Sequence, residues 1–324
     1  ARAQLLPNIA FSAGRNRNDL SREQSGLPLA EAPYYSFNQT LQLRQPIYRR
    51  PLLLALEQAS HLVADAEATL EQERQNLGVR VAGAYLEALL AQDQLELVLR
   101  QHAFTLAYLD AARKALVAGS GTRTDIDEAQ ARLDLNLAQQ LEARQQVDYT
   151  RRQLESMTGQ PVGELAPVDP QRLALAAPQP AALEDWLALA ESASPELLAL
   201  KSRLEAARLE IGKAQGAHHP TLDAVLQVTR SASENVTTPE SSYLNRMVGL
   251  QLNLPLYAGG YASSVVRQAV AESKRAEETL EAARRDLGLR LQREFRGVTE
   301  GVLKVRALEQ AVRSAEQMVS SSQR

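Results

Sequence analysis

One short stretch occurs twice in this chain, and each copy stands between an alternating pattern and a long helical pattern. Leu41–Tyr48 reads LQLRQPIY and Leu250–Tyr257 reads LQLNLPLY, at an offset of 209 residues. Upstream, Leu6–Ile9 corresponds to His219–Leu222. The period is far too long for one unit of a solenoid. We infer a tandem duplication of one large unit.

The duplication divides the chain into two structural repeats. We predict a first repeat over 1–160, a Pro-rich linker over 161–182 and a second repeat over 183–324. Five of the fourteen prolines lie between Gly159 and Ala182, which indicates an irregular connection. Ala1–Leu5 resembles the end of a helix and Ser314–Arg324 the interior of one. We therefore expect the sequence to be a truncated or partly ordered fragment.

Alternation of apolar and polar residues predicts two strands in each repeat. A period of two with aromatic and β-branched residues is typical of strands with one apolar face. The predicted strands are residues 8–18, 34–48, 221–230 and 243–256. The polar connections Asp19–Pro33 and Arg230–Ser242 are predicted to be loops.

Apolar residues three and four positions apart predict long amphipathic helices after each strand pair. In the first repeat a helical hairpin over 52–158 is expected, and its first helix, ending near Val117, would be about 100 Å long. A helix of that length must run along partner helices as a coiled coil. At the turn, Gly119 suits the left-handed position after a helix and Thr124 can cap the next one. The second repeat is predicted to hold helices over 183–217 and a long helix over 262–324.

Composition and motifs exclude several function classes. The net charge of −3 gives no electrostatic reason to expect nucleic-acid binding, and the chain has no cysteine for thiol chemistry or disulfides. We find no window of 18 apolar residues, no phosphate-binding loop and no nucleophile motif. The adjacent His218 and His219 are expected in a junction loop, without a third metal ligand. No enzyme, cofactor or metal site is predicted.

Several segments, in this order and spacing over nearly the whole chain, resemble the TolC-type outer-membrane efflux proteins. The tip-like turn Gly119–Asp125 is followed by Glu128–Ala131, and Tyr257–Gly260 favours the type I secretion members of the family. The other matching segments are Leu6–Asn8, Gln45–Tyr48, Leu254–Leu256, Leu183–Asp185 with Ala190, and Ser194–Leu197.

The resemblance implies a mainly α-helical fold with membrane β-strands. Each chain of a homotrimer would contribute four strands to a shared 12-stranded β-barrel, and the helices would form a long coiled-coil tunnel in the periplasm. The protein would be the exit duct of a tripartite export system in the Gram-negative outer membrane. It would work with a periplasmic adaptor protein and an inner-membrane ABC or proton-driven pump, passing proteins or small molecules. The tip of the second repeat, with the family's acidic constriction, would lie beyond Arg324.

Three groups of site residues follow. The periplasmic tip that would dock the adaptor is Gly119, Ser120, Gly121, Thr122, Arg123, Thr124 and Asp125. Asp125, Asp127 and Glu128 would either join a charged network there or complement the helix dipole. The residues predicted to face the lumen are Ser36, Asn38, Thr40, Gln42, Gln251 and Asn253. The residues predicted to face lipid are Phe37, Leu41, Val248, Leu250 and Leu252.

Two other classes of protein fit parts of the pattern. A soluble coiled-coil scaffold without channel activity would pack the alternating segments on its helices as β-ribbons. A helical protein lying in a lipid interface is disfavoured, because the helices mix charges of both signs instead of carrying a basic face. Dependence on detergent separates the channel from both.

Overall fold

The computed structural model describes residues 1–24, 27–169, 175–235 and 238–322, with side chains omitted at 20–32, 234–240 and 322. The chain divides into two compact units, 1–69 with 179–297 and 70–178 with 298–324. The strands are β1 (Asn8–Gln24), β2 (Leu27–Tyr48), β3 (Thr221–Asn235) and β4 (Thr238–Asn253). The helices are α1 (Arg50–Val117), α2 (Arg123–Thr158), α3 (Leu183–Ala193), α4 (Pro195–Gln215) and α5 (Tyr261–Ser322).

The four strands form one antiparallel sheet in the order β1-β2-β3-β4. Each repeat supplies one hairpin, and β2 of the first repeat pairs with β3 of the second. The mainly helical fold with four strands is as predicted. In this sheet β1 and β4 each pair on one side, so the two outer strands present free edges.

The two predicted loops between paired strands are wrong over most of their length. In Asp19–Pro33 and Arg230–Ser242 the hairpins continue as paired strand, apart from 25–26 and 236–237, which lie outside the described residues. Polar composition indicated exposure here, but exposed strands can pair as well as buried ones. Pro33 is tolerated because β2 pairs with β3 only from Ser36 onward, so the proline nitrogen need not donate on that side.

The helical predictions hold with small changes at the ends. α1 is unbroken over 68 residues and is followed by a tight turn into α2. The cap of α2 is Thr122 and not Thr124, because the helix already begins at Arg123. Within Ala1–Leu5, the residues Arg2–Leu5 form a short 3-10 helix, not the end of an α-helix. Among the described residues, no helix combines the length and hydropathy needed to cross a bilayer.

A small leucine core lies in the first unit, between α4 and α5. Leu197, Leu204 and Leu280 are buried, with Ala276 and Ala283 packed against them. Arg290 on α5 donates to Glu196 at the start of α4 (2.5 Å), and this hydrogen bond raises the pKa of Arg290. In the second unit four of the seven buried apolar residues that the structure describes are alanines, as expected for close helix approach: Ala84, Ala88, Ala91 and Ala129.

Candidate functional site

The strand register separates the predicted barrel residues into two faces of the sheet. Directly paired residues share a face, and Leu41 pairs with Val228 while Leu226 pairs with Val248. All five residues predicted to meet lipid therefore lie on one side, which we call the apolar face: Phe37, Leu41, Val248, Leu250 and Leu252. All six predicted to line a lumen lie on the other, the polar face: Ser36, Asn38, Thr40, Gln42, Gln251 and Asn253.

Hydrogen bonds between side chains cross the polar face. The hydroxyls of Thr40 and Thr229 lie 3.3 Å apart, and Gln227 Nε2 donates to Thr229 Oγ1 at 3.0 Å. Asn18 Nδ2 donates to Ser36 Oγ at 2.9 Å. Polar side chains are thus paired across β1 and β2, and separately across β2 and β3.

The apolar face leaves large side chains uncovered. Val248 is 81% exposed, Leu250 70% and Leu252 67%, and Ile9 and Phe11 on β1 are similarly open. A contiguous apolar patch of this kind marks a surface that meets lipid or another protein.

A buried ion pair that the sequence did not reveal lies where β2 passes into α1. The Asp223 side chain is 2% exposed and accepts from Arg44 Nε at 2.9 Å and from Arg49 Nε at 2.8 Å. A second nitrogen of each arginine lies 2.5 Å from Asp223 Oδ2. The hydrogen bond that Arg49 donates to Asp223 raises the pKa of Arg49. Asp223 therefore fastens β3 to the strand-to-helix junction.

The two arginines also border a cleft of about 410 Å³ at this junction. Its other lining residues are Ala3, Gln4, Leu6, Asn8, Pro46 and Leu52. The two histidines predicted at a junction come just before β3. His218 ends the 3-10 turn Gly216–His218, and His219 Nε2 lies 3.3 Å from Arg50 Nη1. No metal-binding cluster occurs in the part of the chain that the structure describes.

The predicted tip is a compact turn with a reciprocal cap. Asp125 N–H donates to Thr122 Oγ1 at 3.2 Å, and Thr122 N–H donates to Asp125 Oδ2 at 2.8 Å. These hydrogen bonds lower the pKa of Asp125. Asp125 thus acts in the cap, and Glu128 pairs with Arg132 at 2.5 Å on the exposed face of α2.

Two glycines shape this turn for different reasons. Gly119 has φ of +77°, the left-handed conformation that L side chains rarely adopt. At Gly121 a Cβ would lie 3.0 Å from the Leu116 nitrogen and 3.1 Å from the Ala115 carbonyl carbon. A side chain at Gly121 would press on the backbone at the end of α1. The exposed, substitutable tip residues are Ser120, Arg123 and Thr124.

Comparison with known proteins gives one consistent result. Residues 1–160 and 186–324 match the model of the family described as outer membrane efflux protein. The protease secretion protein PrtF of Dickeya chrysanthemi is 30% identical over 326 residues, covering 99% of this chain and 71% of PrtF. The alkaline protease secretion protein AprF of Pseudomonas aeruginosa is 30% identical over 328 residues, covering 100% of this chain and 68% of AprF.

A solved structure shows the same fold. The outer membrane protein VceC from Vibrio cholerae superposes with a TM-score of 0.74 at 18% identity, covering 98% of this chain and 75% of VceC. Members of the matched family are channel and transport proteins that act in tripartite export systems, with strands in the outer membrane and helices extending into the periplasm. The strand hairpins, the long helices and the family match agree, and this chain therefore belongs to the outer membrane efflux protein family and is an outer-membrane channel protein.

Proposed function

We propose that three copies of this chain close a 12-stranded barrel and serve as the exit channel of a protein secretion system. Four strands cannot close a barrel alone, and the free edges of β1 and β4 are antiparallel partners available for neighbouring copies. Joining β1 of one copy to β4 of the next removes every free edge. A ring of this kind leaves no unpaired strand in the membrane.

In this barrel the apolar face meets lipid and the polar face lines the lumen. The support is the separation of the two residue sets by the strand register, together with the exposure of Val248, Leu250 and Leu252. Barrels of the outer membrane alternate in this way, with apolar side chains outward and polar side chains inward. The hydrogen-bonded side chains around Thr229 then lie in the wet interior.

The cargo we propose is a secreted protein of the protease class. The observation that carries this proposal is the 30% identity to PrtF and AprF, both named for protease secretion, over essentially the whole chain. The test is to express the full-length protein in Pseudomonas aeruginosa lacking AprF and to measure extracellular protease activity. Restored secretion is the expected result. Protein that reaches the outer membrane but restores no protease secretion would contradict the proposed cargo.

We further propose that the tip turn docks a periplasmic adaptor. Ser120, Arg123 and Thr124 are exposed in the turn, and the capping hydrogen bonds of Asp125 hold the turn in one conformation. A bulky substitution at Gly121 would disturb the turn itself, so the docking test uses Thr124→Trp. We expect this variant to lose export while it still assembles in the outer membrane.

The matched control for the tip is Gln139→Trp, which places the same side chain at an exposed position further along α2. Export by the Gln139 variant should equal that of the wild type. If the control behaves as expected, normal export by Thr124→Trp would contradict adaptor docking at the tip, which would then be only the turn of a helical hairpin.

A further inference from the structure

The apolar face carries a group of arginines at the end of the sheet that is farther from the strand-to-helix junctions. Arg17 lies on β1, Arg230 on β3 and Arg246 on β4, and all three are exposed. Their cross-strand partners on the same face are Tyr35, Gln39 and Val228. Exposed charges beside a band of leucine, valine and phenylalanine are stabilised best by a neighbour of opposite charge.

The internal duplication relates these positions to one another. The offset of 213 residues that maps Pro7 onto Pro220 also maps Arg17 onto Arg230. The offset of 209 that maps Leu43 onto Leu252 maps Phe37 onto Arg246. If the two repeats follow one another around a barrel axis, corresponding positions lie at the same height in the membrane.

The strand register gives the stagger that such a barrel requires. Ile9 pairs with Leu43, and Leu43 pairs with Leu226, four residues beyond Leu222, the duplicate of Ile9. A stagger of four residues over two strands amounts to two residues for each strand, as in the tilted strands of a barrel.

When this stagger of two residues is applied from each strand to the next, the three arginines lie at the same height along the barrel axis. Arg17 pairs with Tyr35, but its height along the barrel axis equals that of Phe37, which is two residues nearer the helices. Arg230 pairs with Leu244 and becomes level with Arg246. Arg17, Arg230 and Arg246 therefore form a single row around the outside of the barrel, which we call the arginine row.

The arginine row lies towards the outer end of the apolar face, with Leu244 of β4 two residues farther out. On the same face, Val248, Leu250 and Leu252 of β4, and Leu254 just after the strand, follow Arg246 in sequence and lie nearer the helices. Eight residues separate Leu254 from Arg246, about 26 Å along the strand and about 20 Å along the membrane normal after tilting. Beside the row, the Arg15 guanidinium stacks on Tyr35, 4.9 Å from the ring centre, as in an interfacial aromatic belt.

The helices extend into the periplasm, so this end of the sheet lies in the outer leaflet. Lipids of that leaflet carry phosphorylated sugars at the hydrocarbon boundary. Arginine binds phosphate through two parallel N–H groups, and this match of charge and geometry selects phosphate over other lipid groups. Among the side chains that the structure describes on the apolar face, the acidic one is that of Asp19. Its Oδ1 lies 3.8 Å from Arg17 Nε, and both side chains are exposed. An exposed pair of this kind is weak and leaves Arg17 available to a stronger anion.

We propose that Arg17, Arg230 and Arg246 bind the phosphate groups of outer-leaflet lipid A, with its acyl chains lying along the apolar face. This inference rests on the proposed orientation of the apolar face towards lipid. The site would hold lipid at a fixed position around the barrel.

The test measures lipid A bound to the full-length trimer in detergent by native mass spectrometry. The variant Arg17→Gln/Arg230→Gln/Arg246→Gln should bind lipid A on the order of a hundredfold more weakly, since each basic side chain at a lipid surface contributes about fivefold. Replacing the same three residues by Lys should keep most of the affinity, which guards against a loss caused by misfolding. The wild type should bind dephosphorylated lipid A as weakly as the Gln variant binds intact lipid A.

The matched control is Arg100→Gln/Arg132→Gln/Arg275→Gln, which removes the same charge from exposed i,i+3 and i,i+4 pairs on the helices. Its affinity for lipid A should be unchanged. Equal binding by the Gln variant, or equal loss in the control, would overturn the inference. Occupancy by inorganic phosphate at the same concentration would make the row an anion site and not a lipid site. A wild-type chain that neither trimerises nor enters the membrane would instead refute the proposed function.

Discussion

Asp223 shows what a single residue contributes at the join between strand and helix. Its carboxylate is almost fully buried, yet it holds two arginines from the β2–α1 junction, which remain partly exposed. The partners are 174 and 179 residues away in sequence, and neither arginine stands out in the pattern of alternation. Sequence reasoning therefore missed this cluster, although a lone aspartate among the apolar residues of β3 is a signal of a buried partner.

We predict that Asp223→Asn lowers the free energy of unfolding by about 2–3 kcal/mol, because charge-assisted hydrogen bonds are lost and two arginines keep no anion. The measurement is unfolding of the detergent-solubilised protein followed by circular dichroism. Asp19→Asn is the control, since its carboxylate is exposed and lies 3.8 Å from Arg17, and it should change stability by less than about 0.5 kcal/mol. Equal changes in the free energy of unfolding for the two variants would contradict a structural role for the buried carboxylate of Asp223.

A second prediction at the residue scale concerns the effect of low pH on the cap formed by Asp125. Hydrogen bonds from Thr122 hold the pKa of Asp125 below its ordinary value of 3.8. The stabilisation from a lowered carboxyl pKa is present above the ordinary value and disappears as the pH falls through the folded value. Hydrogen–deuterium exchange of the tip, corrected for intrinsic rates, should therefore accelerate in acid below about pH 4. Asp125→Asn should remove this dependence, and an unchanged acid response in that variant would contradict the role of the cap.

At the scale of elements, strand identity followed from the sequence but strand length did not. Alternation located both hairpins because one face is apolar near the helices. Beyond Asp19 and Arg230 the regular alternation of apolar and polar residues in the sequence disappears, while the backbone pairing continues. The turn of the helical hairpin was predicted within a few residues, and the cap moved from Thr124 to Thr122 because the helix starts one residue after the threonine.

The two faces of β4 give an element-scale prediction. Leu250→Arg places a charge in the middle of the apolar band and should cost about 2–4 kcal/mol near the bilayer centre. Gln251→Arg is its matched control, because the adjacent side chain lies on the polar face. Assembly into outer-membrane vesicles should fail or weaken for the first variant and proceed for the second. Equal tolerance would show that the faces are assigned wrongly.

The contact between α4 and α5 gives another prediction at the scale of elements. Leu197 is fully buried at 0% exposure, whereas its neighbour Leu198 is 42% exposed. Leu197→Ala should destabilise the protein by about 2–5 kcal/mol through lost burial and a residual cavity. Leu198→Ala should cost clearly less, as judged by thermal unfolding of both variants. A larger effect at Leu198 would mean that the exposed leucine is covered by a neighbouring copy.

At the scale of the molecule, the duplication explains both the fold and its incompleteness as a single copy. Each repeat supplies one hairpin, and the pairing of β2 with β3 joins the hairpins into a four-stranded sheet. The sequence predicted the strands and the helical hairpin because periodicity is local. It did not define the pairing of β2 with β3, since that contact joins segments nearly 200 residues apart. In the proposed trimer the free edges of β1 and β4 are paired by neighbouring copies.

We propose that the channel is built from three chains, and the mass of the particle in detergent tests this most directly. Light scattering coupled to size exclusion, with the detergent contribution subtracted, should give three chains for each particle of the full-length protein. The strands should be folded in the same sample by circular dichroism. A monodisperse particle of one chain with folded strands would contradict the account.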